Sequence, residues 1–159
     1  MQPELETYAR QLRWTLEELS KALADLSPAE LNWRPATGEA NSAYAIASHV
    51  LGSTRVYALG FGCGLAVERD RPSEFAASGE DAAELVAALG RLADEIGATM
   101  GTVDASVLER RFVPPRELFG TGDLHEMSGR DAIVETIRHA GTHLGELRLT
   151  RDLAKSHQN

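Results

Sequence analysis

The chain is 159 residues long, 43% hydrophobic and 25% charged, a length and balance that fit one globular domain able to bury about two-thirds of its unfolded surface and that exclude a disordered or fibrous chain. With 24 acidic against 16 basic residues its formal charge is -8, which sets it against phosphate backbones and makes nucleic acid an unexpected partner. Arg110, Arg111 and Arg116 form the nearest thing to a basic patch, but Glu109 and Glu117 are interleaved with them and a solvated loop is expected there.

From about Pro3 to Leu26 the residues Leu5, Tyr8, Leu12, Leu16, Leu19, Leu23 and Leu26 recur at steps of three or four, one stripe of a long amphipathic helix. Ser27, Pro28 and Glu30 then spell a capping box that opens a short turn through Leu31, Asn32 and Trp33, ended by Pro35 and Gly38. Asn41 is expected to cap a second long helix running to about Gly60, with Ala43, Ile46, Val50, Thr54 and Tyr57 on one side and Gly60, Gly62 and Gly64 breaking it. Residues 62–79 show no helical period and include Arg69, Asp70, Arg71 and Pro72, so they are expected to form a long crossover.

Ser78, with Asp81 three residues on, predicts the start of a third helix whose stripe is Leu85, Leu89, Leu92, Ile96, Met100 and Val103. Residues 104–127 are irregular, and although Leu108, Arg110 and Phe112 alternate as a strand would, no real sheet is expected. Ser128 with Asp131 caps the last helix, which continues through Ile133, Ile137, Ala140, Leu144 and Leu147 to about Leu153. Helices of roughly 20 to 25 residues with one apolar stripe each hide those stripes only against one another, so the expectation is an all-α four-helix bundle, a single domain over 1–159, with a long crossover between helices 2 and 3.

Cys63 is the only cysteine, so no internal disulfide forms, and the charged N-terminal stretch has no apolar run of signal-peptide or membrane-spanning length. A cytoplasmic protein with no membrane anchor is expected.

Five histidines carry most of the chemical interest. His139 and His143 are four apart, so on a helix they lie about 40° apart around the axis and about 6 Å apart along it, close enough to chelate one ion. They fall to one side of the apolar stripe together with Thr136, Glu146 and Thr150, as a polar band beside the core. An isolated HxxxH is a common accident. His49, on the second helix at the margin of its stripe, supplies a third imidazole that points toward a neighbouring helix, although a single histidine in that place is more often a hydrogen-bonded core residue. Three neutral imidazoles suit Zn²⁺ or Ni²⁺ and leave positions open for water or substrate. Glu146 is the candidate carboxylate, either to orient a ligand imidazole or to act as a catalytic base. His125 and His157 are expected in solvent.

The segments LSPAELNWRP, NSAYAIASHVLGS, RDRPSEF and HAGTHLGELRLTRDL, in that order and across nearly the whole chain, resemble the DinB/YfiT-like proteins. The resemblance implies a four-helix bundle with a long crossover, commonly a homodimer, and a divalent-metal site made by a histidine on the second helix and an HxxxH on the last, which carries ligand roles to His49, His139 and His143. It assigns no chemical role to RDRPSEF or to Trp33. Family members include S-transferases that use a low-molecular-weight thiol, thiol-dependent isomerases and proteins of unknown activity, so the leading expectation is a thiol cosubstrate activated at a three-histidine metal site to attack a small-molecule electrophile. The alternatives are a metal-dependent hydrolase, a non-catalytic dimeric bundle that binds a metal or small ligand, and a bundle whose histidines are ordinary core residues.

Overall fold

The computed structural model describes residues 2–158. Four long helices form the bundle: α1 (Pro3–Leu23), α3 (Ala43–Thr54, extended by a π-helical segment Arg55–Gly62), α5 (Ala83–Thr102) and α6 (Gly129–Gln158). Two short helices, α2 (Pro28–Asn32) and α4 (Arg71–Ala76), lie in the connections. A two-stranded antiparallel ribbon pairs β1 (Arg111–Phe112) with β2 (Met127–Ser128).

Ion pairs and close approaches give the directions of the helices. Glu4 meets Arg130 and Glu18 meets Arg148, so α1 and α6 run parallel. Ser53 lies beside His139 and Gly62 beside Ile133, so α3 and α6 are antiparallel. Tyr44 packs at Gly79 just before α5, and Arg55 pairs with Glu95 within it, which makes α3 and α5 parallel. Parallel neighbours cannot be joined by a tight turn, and the crossover of residues 63–82 follows from that geometry.

The predicted stripes are the core. Leu5, Leu12, Leu16, Leu19 and Leu23 of α1, Ile46 and Val50 of α3, Leu89, Leu92, Ile96 and Met100 of α5, and Ile133, Ala140 and Leu147 of α6 are all buried in one cluster. Each large side chain among them contributes roughly 1.5–3 kcal/mol by leaving water. The capping box at Ser27 and Glu30 forms as expected, with the serine hydroxyl on the Glu30 amide and the glutamate on the Ser27 amide. Ser128 and Asp131 make the same reciprocal pair at the start of α6.

Several boundaries differ from expectation. Ser42 rather than Asn41 caps α3, its hydroxyl accepting from the Ala45 amide at 3.1 Å. The helix also passes through Gly60 and Gly62 as a π segment. A Cβ on Gly62 would stand 2.5 Å from Ile133 Cγ1, so that glycine serves close packing against α6, and the chain turns away at Gly64, whose φ is +80°.

In the crossover, RDRPSEF contains α4, with Asp70 as its cap. Ser78 does not open α5: Asn32 holds both backbone groups of Gly79, at 2.7 and 3.1 Å, and Asp81 takes the Ala83 amide instead. The alternation at Leu108–Phe112 does end in a real, very short strand. Beyond Leu153, α6 continues because Ala154 is fully buried and Trp33 packs 5.5 Å from the His157 ring. No helix among the described residues is long and apolar enough to cross a membrane.

Candidate metal centre

α3 delivers His49 and α6 delivers His139 and His143 to one point. The Nε2 atoms of His49 and His139 are 3.2 Å apart, and the His143 ring centroid is 5.0 Å from that of His49 and 4.5 Å from that of His139. One nitrogen from each ring lies within 4.8 Å of the others. Two nitrogens bound to a tetrahedral Zn²⁺ stand about 3.3 Å apart, because each bond is about 2.0–2.1 Å long. The His49–His139 spacing therefore fits a shared ion. A proton on one ring also satisfies that pair, but it cannot satisfy a third imidazole aimed at the same place, whereas a cation can.

The far nitrogens are held by the protein. His49, which is buried, gives Nδ1–H to Glu74 Oε2 at 2.9 Å. Glu74 is itself gripped by Arg69, through Nε to Oε1 at 2.7 Å and Nη2 to Oε2 at 2.8 Å. Both side chains of this ion pair are more than nine-tenths buried. Burial pushes the Glu74 carboxyl up, but the hydrogen bonds from Arg69 and His49 outweigh it and hold the group below the usual carboxylate value. The carboxylate thus stays ionised and, being only an acceptor, favours the His49 tautomer that carries its proton on Nδ1 and leaves the Nε2 lone pair for a ligand role.

Gly52, one turn beyond His49, makes this contact possible, since a Cβ there would lie 2.0 Å from Glu74 Oε1. Phe75 stacks on the other side of the His49 ring at 4.5 Å.

His143 is oriented in the same manner by Glu146, whose Oε2 is 2.6 Å from Nδ1. This places the Glu146 carboxylate behind the imidazole, and Glu146 does not line the adjoining cavity. His139 has Nδ1 3.4 Å from the Ser53 hydroxyl. Burial, then the neighbouring His143 and His49 rings, push its pKa down to about 4, so it is neutral at pH 7, the state in which imidazole is a ligand. His125 and His157 are exposed and stand apart from this group.

Spacing alone could not find Glu74 and Arg69. Asp70 followed by Pro72 and Glu74 is a helix-opening signature, and reading it would have shown α4, but not the face it turns toward α3.

A cavity of about 390 Å³ opens beside His49 and His139, walled by Ser53, Tyr57 and Thr136 and covered by residues 119–122. Burial raises the Tyr57 hydroxyl's pKa, so it remains protonated. The polar band predicted on α6 is here divided: Thr136 is buried against the cavity and Glu146 half faces water.

Comparison with curated proteins and with solved structures finds no match. The family model of the DinB superfamily matches residues 11–147, which span α1 through the histidines of α6. With its helical bundle and its three convergent histidines, the chain belongs to the DinB superfamily.

Proposed function

We propose that His49, His139 and His143 hold a divalent ion, Zn²⁺ or Ni²⁺, and that the protein is a thiol-dependent S-transferase. The observation that carries the reading is the convergence of three imidazoles, two of them braced from behind by carboxylates, beside a cavity large enough for a small organic molecule. A bound ion of this kind lowers the pKa of a thiol so that it is present as the thiolate nucleophile at neutral pH.

The chain's own residues supply the rest. Glu74 and Arg69 fix the tautomer and direction of His49, and Glu146 does the same for His143. Phe75 stacks on the His49 ring and covers part of its surface. In the transfer the thiol sulfur, having given its proton to solvent, bonds to carbon of the electrophile, and the leaving group departs with the electron pair of the broken bond. Family likeness extends the proposal to a cytoplasmic homodimer, supported by Trp14 of α1, which is 52% exposed.

The test is elemental analysis of untagged protein, followed by assay of the loaded protein with low-molecular-weight thiols and alkyl or epoxide electrophiles. Stoichiometric metal and thiol consumption are expected. Metal below a tenth of an equivalent after reconstitution removes the centre, and metal with hydrolysis but no thiol transfer replaces the thiol by water as nucleophile.

A further inference from the structure

The cavity beside the histidines is lined by three guanidinium groups, Arg69, Arg71 and Arg138, in a protein whose net charge is -8. Two of them are already matched. Arg69 is bound by Glu74, and Arg138 by Glu135. Arg71 is different: its guanidinium lies over the Phe75 ring at 4.9 Å, and no carboxylate among the described residues is paired with it. Phe75 in turn stacks on His49, so one phenyl ring touches both the Arg71 guanidinium and the His49 imidazole.

The cover of the cavity is arranged compatibly. Arg116 binds the carbonyl oxygens of Gly120 and Gly122 at 3.2 and 2.9 Å, which occupies acceptors that otherwise repel an anion. The Gly120 amide is held by the Tyr57 hydroxyl at 3.4 Å, which fixes the cover over the same wall.

We propose that this cavity selects a substrate bearing a carboxylate, which pairs with Arg71 while the reacting end of the molecule faces His49 and His139. A planar guanidinium with its fork free matches the two oxygens of a carboxylate. A dianionic phosphate calls for a second free cation, and Arg69 and Arg138 are both engaged. The assignment of a reacting end rests on the metal-centre reading above; the preference for a carboxylate does not. The carboxylate belongs either to the thiol or to its electrophile, and two pairs of probes separate these.

Metal-free protein is titrated with phenylacetate and with neutral phenylacetamide, following the amide resonances of Gly120 and Gly122. Cobalt-loaded protein is titrated with N-acetyl-L-cysteine and with neutral N-acetylcysteamine, following the sulfur-to-cobalt charge-transfer absorption. Phenylacetate is expected to bind about tenfold or more tightly than phenylacetamide. Arg71→Gln abolishes that preference without changing metal content or phenylacetamide binding, and Arg71→Lys restores part of it.

If N-acetyl-L-cysteine shows the same Arg71-dependent preference, the carboxylate is on the thiol; if only phenylacetate does, it is on the electrophile. Equal binding of phenylacetate and phenylacetamide, no saturable shift with either, or a preference unchanged in Arg71→Gln overturns the proposal. A missing charge-transfer band with both thiols sinks the thiol reading alone, because the metal-free titration still reports on Arg71.

Discussion

Glu74 and His49 are 25 residues apart in sequence, and the carboxylate oxygen of one lies 2.9 Å from Nδ1 of the other, inside the protein. The contact joins the crossover to the metal centre: α4 exists as a helix of six residues, and what it delivers to α3 is this carboxylate and the Phe75 ring that covers the imidazole. A partner behind a ligand imidazole fixes its tautomer and raises its basicity, so with an ion held as proposed the crossover would act on metal affinity without touching it.

Glu74→Gln is therefore expected to weaken metal binding about 10- to 100-fold, measured by competition with a chromophoric chelator. Removing the charge also strands buried Arg69, which destabilises the fold by about 3–5 kcal/mol. The double variant Arg69→Met/Glu74→Gln separates the two effects, recovering stability while affinity stays low. Gly52→Ala is expected to follow Glu74→Gln in affinity, because the new methyl group displaces a carboxylate that both Arg69 and His49 hold in place. Wild-type affinity in Gly52→Ala and Glu74→Gln alike would show that the contact does not tune the site.

An ion that binds only the folded protein stabilises it by mass action, by about 2.7 kcal/mol at a free concentration one hundred times Kd. For a chain of this size that is a rise in Tm of about 5–10 °C. Zn²⁺ or Ni²⁺ is expected to produce this shift in calorimetry, chelator to reverse it, and His143→Ala to lose most of it. Identical melting curves with and without metal would count against the centre.

The helices were legible because their signals are local: the leucine ladder of α1 and the cap at Ser27 and Glu30 act within a few residues of one another. The spacing of His139 and His143 is local in the same sense. The convergence of His49 on that pair is a tertiary contact, and it came from the family resemblance rather than from spacing. Other features set by tertiary contact lay beyond reach. The first turn of α5 is displaced because Asn32 pins Gly79 from a distant helix. The π segment runs through glycines that would ordinarily stop a helix because Ile133 packs onto Gly62. RDRPSEF has no apolar period, so nothing in its own order shows that Arg69 and Glu74 turn inward.

Cys63 gives a pH dependence with a definite sign. Burial pushes its thiol from 9.0 up to about 11. Between those values the unfolded chain has lost the proton that the folded chain retains, so stability is full below pH 9 and falls as pH rises toward 11. Cys63→Ala is expected to flatten this part of the stability curve, as seen by urea unfolding at pH 8, 9 and 10. In the native protein at pH 7.5 iodoacetamide should label Cys63 only on unfolding; rapid labelling of the folded state would contradict its burial.

The proposed homodimer places an exposed indole on a partner surface, and Trp14 is the largest such group on α1. Trp14→Glu is expected to convert dimer to monomer in sedimentation equilibrium without lowering metal content. A wild-type monomer at tens of micromolar, a range this measurement covers readily, ends the dimer proposal.

Thr54 closes α3 where it passes into the π segment, and its hydroxyl is fully buried without a hydrogen-bond partner among the described residues. Burying an unsatisfied hydroxyl costs about 1–3 kcal/mol on the scale of protein mutational data. Valine keeps the branched shape and removes the oxygen, so Thr54→Val is expected to raise Tm by about 2–4 °C for each kcal/mol recovered, with metal content unchanged. Thr54→Ala leaves a cavity in the same place and should be less stable than Thr54→Val. A valine variant that melts below wild type would mean that the hydroxyl is satisfied in solution, for instance by a water between α3 and its neighbours.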